Sequence, residues 1–395
     1  MSSAVARTLP AMTAVQAIVA MGTFALSVLA PQLGVDMRLL GFIGSALFAA
    51  GALSSLMSGW LVRRLGDLQL AALCMGCVML AMLCLAGEAA GGGVLRWSLW
   101  PAVILLGCAF GPETPASASV LTRVTPLARR PWVFSIRQTG NQIGAMAGSL
   151  ALPVLMLWHA SGPFAVVAAL ALCVGLWCLA LVRRDGGAPA VVVAASRKGN
   201  GLREVAASPL LRLLTLTMVV FMATQVCLNF FAMSHAVRHW QLPVPVAAGC
   251  VALMQGAGLA GRLFWGRVAQ RSGLPTSRLL GGLGLWMGAA GLLLFLWPGT
   301  PPSVVMAVLF VLLGFSASGW NGVMIAEISR VAGMERAGAV TGAALMFGYA
   351  GLAVAPLAFA AMGQAWGTDS AYAVLAAATG ALGLRLLLGR PSRDS

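Results

Sequence analysis

Apolar blocks of about 20 residues recur along this chain, separated by short breaks that carry Arg or Pro. A helix of that length crosses the roughly 30 Å hydrocarbon core of a bilayer, at about 1.5 Å of rise per residue. The blocks at 165–182 and 279–296 are apolar on every side, whereas the strands of a membrane barrel alternate apolar and polar residues. The sequence therefore predicts an all-α membrane protein whose solvent is the lipid bilayer.

The composition agrees with a membrane location, because the chain is 60% hydrophobic and only 9% charged. Soluble proteins carry about 25% charged residues. The net charge of +15 does not indicate a nucleic-acid partner, since the basic residues stand singly or in pairs between apolar blocks. All eight cysteines fall inside apolar blocks, where we interpret them as small packing residues. No set of metal ligands, cofactor motif or catalytic triad is found in the sequence, so we expect neither a cofactor nor an enzyme.

The apolar blocks predict twelve transmembrane helices arranged as two six-helix bundles. The bundles are expected at 1–182 and 209–395, joined by a basic linker at 183–208. If the N-terminus is cytoplasmic, 21 of the 25 Lys and Arg residues fall in or beside cytoplasmic segments, which favours cytoplasmic termini. The predicted helices are 11–31, 39–61, 68–88, 98–122, 132–156, 162–182, 211–234, 244–265, 279–296, 303–327, 338–361 and 371–389.

The two halves are also related in sequence at one constant offset of 207 residues. The segment Leu105-Leu106-Gly107 recurs as Leu312-Leu313-Gly314, and Arg123-Val124 recurs as Arg330-Val331. A glycine and arginine turn after the second predicted helix recurs, at the same offset, after the eighth. Two such matches predict a parallel repeat, an arrangement that transporters use to enclose a solute near the middle of the membrane.

With its two groups of six helices, its basic middle loop and its glycine-rich basic turns, the chain resembles the major facilitator superfamily. The turns are Gly59–Gly66 and Gly266–Gly273, in which Arg63 and Gln270 stand where that family has an acidic residue. The resemblance covers essentially the whole chain. It implies a monomeric secondary transporter that binds a small solute and works by alternating access, in which the first, fourth, seventh and tenth helices line the central cavity.

Two segments resemble, more narrowly, bacterial permeases of the cyanate and nitroimidazole type: Phe134-Ser-Ile-Arg-Gln-Thr-Gly140 and the segment from Gly319 to Glu327. This similarity implies the inner membrane of a bacterium. The antiporter signature of the superfamily is only half present, because the spaced glycines Gly140, Gly144 and Gly148 are there but Ala145 stands where the signature has proline. Proton-driven drug efflux is therefore not favoured.

Ionisable residues inside the apolar blocks are the first candidates for a solute site, since charge in a membrane is costly unless it is paired or hydrated. Glu113 lies about 14 Å inside the fourth predicted helix, and Arg137 about 8 Å inside the fifth, measured from the same side of the membrane. A long Arg side chain bridges the remaining depth. Two interpretations stay open: a structural pair that locks two helices, or a site in which Arg137 attracts an anion and Glu113 carries a coupling proton.

Other polar residues complete the predicted sites. Glu327 precedes Arg330 by three residues, so the two pair on one helical face, and we expect them to act in gating together with Arg64 and Arg271 of the repeated turns. The remaining predicted solute contacts are Asn141, Gln225, Asn229, Trp320 and Asn321. The three histidines, at 159, 235 and 239, are expected to lie exposed at the membrane interface.

These residues favour a secondary carrier for a small organic anion, with protons as coupling ions. One alternative is an efflux antiporter for hydrophobic or cationic compounds, but such exporters use unpaired acids, and this chain has a buried arginine. An alternative of another class is a membrane-embedded receptor.

The predicted topology is tested with reporter fusions. Alkaline phosphatase joined after Gly199 should be inactive, and a fluorescent protein joined at the same point should be bright, because basic residues crowd that side of the membrane. An active phosphatase at this position would overturn the orientation.

Overall fold

The computed structural model describes residues 3–91, 97–126, 129–184, 201–333 and 335–389. All regular elements in these ranges are helices, which confirms the predicted fold class. Most of the predicted linker, residues 185–200, lies outside the described residues, and its last part forms a short helix, α7. The helices are α1 Ser3–Leu29, α2 Met37–Leu65, α3 Asp67–Ala90, α4 Leu99–Val124, α5 Arg130–Trp158, α6 Gly162–Arg184, α7 Gly201–Ala207, α8 Pro209–Arg238, α9 Val244–Arg271, α10 Thr276–Phe295, α11 Ser303–Ala317, α12 Trp320–Ala332, α13 Ala337–Trp366 and α14 Thr368–Leu388.

Eleven helical stretches in the described ranges are long and apolar enough to cross a membrane, with Ser303–Ala332 taken as one stretch. Helix α4 is a further long helix of 26 residues, and it contains two prolines beside Glu113. The predicted tenth helix is not continuous. Helix α11 ends at Ala317, Ser318 and Gly319 form a turn, and α12 begins at Trp320. A Gly/Ser pair is one of the usual causes of a sharp break in a long helix.

The chain divides into two compact units. The first unit comprises Met1–Val193 and Ala236–Ala252, and the second comprises Ala194–His235 and Leu253–Ser395. In the first unit α1 packs along α5, α2 along α4, and α3 against both α4 and α6. In the second unit α10 packs along α14 and α13 lies beside α12 and α14. The domain limits at 182 and 209 remain predictions.

Glycines permit the closest helix crossings in the first unit. A methyl group added at Gly144 of α5 would lie 2.7 Å from the carbonyl carbon of Ala17 on α1. One turn earlier, a methyl group at Gly140 would lie 3.2 Å from the Cβ atom of Gln16. Small residues at such positions let membrane helices approach backbone to backbone, where van der Waals contact provides the attraction. The ridge predicted from Gly140, Gly144 and Gly148 thus packs α5 onto α1.

The same close crossing occurs once in each unit at positions 207 residues apart. A methyl group at Gly107 of α4 would lie 2.5 Å from the Leu47 carbonyl oxygen of α2. At the equivalent Gly314 of α11 it would lie 2.7 Å from the carbonyl carbon of Met254 on α9, and Met254 is the equivalent of Leu47. The repeated sequence therefore builds the same helix contact twice.

Replacing Gly144 by Ala should destabilise the protein by about 1–3 kcal/mol, because the added methyl overpacks a backbone contact. The control is Gly76→Ala in α3, where nothing lies within 4 Å of the new methyl. Both changes favour the helix equally, so thermal unfolding in detergent should show a lower midpoint only for Gly144→Ala. Equal midpoints would contradict the packing.

Candidate functional site

The charged centre of the first unit is an ion pair between Arg137 of α5 and Glu113 of α4. The Arg137 Nη2 group donates to Glu113 Oε1 and, at 3.3 Å, to the Thr114 hydroxyl. Glu113 also accepts from Ser117 Oγ and Thr114 Oγ1, each at 3.0 Å. Arg137 is 1% exposed and Glu113 is 3% exposed. The predicted contact is present, and hydroxyl groups surround the carboxylate.

The guanidinium of Arg137 is not fully satisfied. Its Nε atom is buried and has no hydrogen-bond partner among the residues that the structure describes. A buried donor without a partner costs about 1–3 kcal/mol, and more when it is charged. An acceptor placed at this Nε atom would therefore relieve an unfavourable burial.

The second unit has a neutral polar cluster at the break between α11 and α12. Gln225 of α8 donates to the Ser318 hydroxyl at 3.3 Å and accepts from Asn321 Nδ2 at 3.2 Å. The backbone at this point keeps helical dihedral angles and the Ser318 N–H still bonds to the Gly314 carbonyl at 3.2 Å, so the break is a local irregularity in one long helical stretch. The cluster brings together two of the predicted contacts, Gln225 and Asn321.

The other predicted contacts are separate from this cluster. Asn229 accepts from Gln255 of α9 at 2.9 Å, so this amide pair joins two helices of the second unit. Asn141 is half-buried, one turn after Arg137 on α5. Trp320 is buried, its indole N–H donates to the Ala317 carbonyl at 2.8 Å, and its ring packs edge-on against Phe221.

The repeat relates the two clusters and shows where they diverge. At the offset of 207, Glu113 corresponds to Trp320 and Arg137 corresponds to Ala344. Both units have a helix-disturbing residue at the equivalent position, since Pro112 of α4 corresponds to Gly319 between α11 and α12. The two units therefore weaken a helix at equivalent places, but only the first has the Arg–Glu pair there.

The predicted gating residues lie near helix ends. Glu327 and Arg330 form a two-pronged ion pair, with both nitrogen–oxygen distances at 2.9 Å, as the three-residue spacing predicts. Glu327 is buried, whereas the Arg330 side chain is 58% exposed. The Arg64 guanidinium lies 5.1 Å from the centre of the Trp60 ring, and Arg271 is exposed at the end of α9.

The sequence analysis missed a second buried ion pair in the first unit. Asp67, the first residue of α3, accepts from the Arg123 guanidinium at 3.0 Å and from the Ser119 hydroxyl at 3.3 Å. Asp67 is 2% exposed. Arg123 is the repeat equivalent of Arg330, so each unit pairs this arginine with an acid of its own. One sequence feature could have indicated this pair: an aspartate directly follows Gly66, in the turn where Arg63 stands in place of the acidic residue that the family has.

The histidine prediction was wrong for His235. This residue is 1% exposed, with Nδ1 lying 3.0 Å from the Thr368 hydroxyl and Nε2 lying 3.3 Å from Asp369 Oδ1. Its ring also packs edge-on against Phe295 and Tyr372. The position of His235 near the end of α8 predicted exposure. Contacts with α14 and α10, which are distant in sequence, bury the side chain instead.

The sequence profile of the Major Facilitator Superfamily matches residues 11–356. This chain belongs to that superfamily. No curated protein matches it in sequence. Membership of the superfamily indicates a transporter rather than an enzyme, set in a lipid bilayer as a multi-pass protein that binds a small solute.

Solved structures of transporters share this fold over nearly the whole chain. A peptide transporter superimposes with a TM-score of 0.76 at 16% identity, over 96% of this chain and 93% of its own. A nucleoside transporter gives 0.74 at 14% identity, over 96% and 98%. A bacterial homologue of the human lysosomal transporter Spinster gives 0.71 at 16% identity, over 98% and 95%. At these identities the likeness shows the fold alone.

The two kinds of ion pair in this superfamily member predict different costs of removal. Asp67→Asn should lower the unfolding free energy by about 3–5 kcal/mol, because it leaves Arg123 without its buried partner. Glu204→Gln breaks the Arg336 pair, whose side chains are 34% and 55% exposed, and should cost at most about 1 kcal/mol. Thermal unfolding of both variants checks this, and equal losses would contradict a structural role for Asp67.

Proposed function

We propose that this protein is a secondary active transporter of a small organic anion, which enters together with a proton. The observation that carries the proposal is the buried guanidinium of Arg137, which has an unpaired Nε donor beside a carboxylate that another anion is able to replace. The narrower resemblance of 134–140 and 319–327 to cyanate-type permeases supports an anionic solute.

In this mechanism Arg137 binds the solute. Without solute its Nη2 group is held by Glu113, and an arriving carboxylate competes for the same planar fork of donors. Arg presents two parallel N–H groups that match the two oxygens of a carboxylate, which makes the exchange favourable in geometry as well as in charge. Asn141, one turn along α5, contacts the rest of the solute.

Glu113 then couples the solute to a proton. Once the solute takes Arg137, the Glu113 carboxylate is left charged in a low-dielectric site, and such a group gains a proton. Ser117 and Thr114 donate hydrogen bonds to the Glu113 carboxylate while it is charged. They do not prevent the carboxylate from accepting a proton after the exchange. One anion and one proton therefore move as a neutral pair, and a pH gradient drives accumulation.

In the second unit we assign solute contacts to neutral residues. Gln225 and Asn321, held together with Ser318, offer both donors and acceptors. We also assign solute contacts to Asn229 and Trp320, and gating roles to Glu327, Arg330, Arg64 and Arg271. We place the protein in a bacterial inner membrane with both termini in the cytoplasm, as the distribution of basic residues favours.

Proteoliposomes and a panel of radiolabelled monocarboxylates test this proposal. Arg137→Lys keeps the charge but loses the fork, so the apparent affinity should fall about tenfold or more. Glu113→Gln, which imitates the protonated acid, should still exchange solute across the membrane but should no longer accumulate it when a pH gradient is imposed.

A purely structural pair predicts the opposite pattern. Each single neutral variant would then lower the amount of folded protein, and the double variant Arg137→Gln with Glu113→Gln would restore both folding and transport. Full anion transport by the double variant would eliminate the proposed site. Loss of transport in a double variant that folds normally is the result we expect.

A further inference from the structure

We propose that Gln16 of α1 is a further solute-binding residue and that, with Arg137, it selects a carboxylate carrying a hydroxyl group on the adjacent carbon. This inference rests on the proposed function, since it names the class of anion for the same site. It starts from two buried polar atoms of opposite kind. Gln16 Oε1, an acceptor, and Arg137 Nε, a donor, both lack a hydrogen-bond partner among the residues described by the structure.

The packing of α1 on α5 brings Gln16 near the Arg137 side chain. The Cβ position of Gly140 lies 3.2 Å from Gln16 Cβ, and Arg137 precedes Gly140 by one turn. Side chains three residues apart on a helix have Cβ atoms about 5–6 Å apart. The Cβ atoms of Gln16 and Arg137 are therefore within about 9 Å of each other, a gap that one solute group and these two long side chains fill.

Gln16 also lies at the depth of Glu113. Helix α1 runs parallel to α5, because Gly140, Gly144 and Gly148 meet successively later residues of α1, so it runs antiparallel to α4. A methyl group added at Gly22 of α1 would lie 3.2 Å from the Leu106 side chain of α4. From that contact Gln16 lies about 9 Å along α1, and Glu113 about 10.5 Å along α4, in the same direction. The amide is thus level with the carboxylate that Arg137 holds.

Gln16 lies at the border of the α1 face that packs on α5, since its Cβ atom is 3.2 Å from the Cβ position of Gly140. At about 100° per residue, Gln16 lies roughly 100° from Ala17, which meets α5, and roughly 120° from Gly22, which meets α3 and α4. Thr23 lies two turns beyond Gln16 on the same face, and its buried hydroxyl also has no partner among the described residues. The border of the packing face therefore carries two unsatisfied polar atoms, whereas buried polar atoms between packed helices are normally satisfied.

The two atoms without hydrogen-bond partners among the described residues, Arg137 Nε and Gln16 Oε1, define the chemistry of the solute. Arg137 Nε requires an acceptor, which a carboxylate oxygen supplies, whereas the Gln16 amide, oriented as in this structure with Oε1 buried, requires a donor, which an ionised carboxylate lacks. The donor must then come from a neighbouring atom of the solute. A hydroxyl group on the adjacent carbon supplies it without adding a positive charge beside the guanidinium, as an ammonium group would. A 2-hydroxy carboxylate satisfies both atoms at once.

Calorimetric titration of the purified full chain with lactate and propionate tests this, because the two acids differ only in the 2-hydroxyl group. One neutral hydrogen bond is worth about a tenfold change in affinity, so the wild type should bind lactate about ten times more tightly. Gln16→Met removes the acceptor but keeps the side-chain length, and should abolish the preference by weakening lactate binding about tenfold. The control Gln364→Met, at an exposed position near the end of α13, should keep the preference.

The outcomes separate this inference from the proposal beneath it. Equal binding of both acids, weakened by Arg137→Lys, overturns the role of Gln16 but leaves the anion site standing. An undiminished preference for lactate in Gln16→Met has the same meaning. Binding of neither acid overturns the anion site, and the role of Gln16 with it.

Discussion

The buried ion pair between Arg137 and Glu113 is the interaction on which the proposed transport mechanism depends. Two charges removed from water lose several kcal/mol of hydration each, and mutual attraction restores this only when the geometry and the surrounding hydrogen bonds are good. Here Thr114 and Ser117 donate to the carboxylate, but Arg137 Nε stays without a partner among the described residues. A structural pair has no need of an unmet donor, whereas a site that exchanges one anion for another requires it.

The packing around this pair is tight where helices cross and polar at the proposed solute site. Gly144 brings α5 against the backbone of α1, and Gly107 brings α4 close to α2, so the helices that carry Arg137 and Glu113 are each fixed to a neighbour. The second unit repeats the Gly107 crossing at Gly314, but it has a helix break and neutral amides where the first has charge. The two units thus share this helix packing but differ in the polar residues at equivalent positions.

The sequence was sufficient for features that depend on local periodicity. Apolar blocks predicted the helices, and the three-residue spacing predicted the contact of Glu327 with Arg330. The depths of consecutive antiparallel helices predicted that Arg137 reaches Glu113. Contacts between distant segments were missed. Asp67 meets Arg123 across 56 residues, and His235 is buried by residues more than 50 positions away, so neither contact has a periodic signal. Gln16 likewise stands alone in an apolar helix, so the sequence does not indicate that it lies near the proposed site.

The central claim is that the solute anion replaces Glu113 on Arg137 and that Glu113 then carries the proton. The most direct test is the charge moved when solute is added to proteoliposomes adsorbed on a solid-supported membrane, with lactate as the probe. The wild type should take up lactate with no net charge movement, because one proton accompanies each anion. Any net uptake of lactate by Glu113→Gln into solute-free vesicles should carry negative charge, since no proton then accompanies the anion. Net lactate uptake by Glu113→Gln without charge movement would contradict the account.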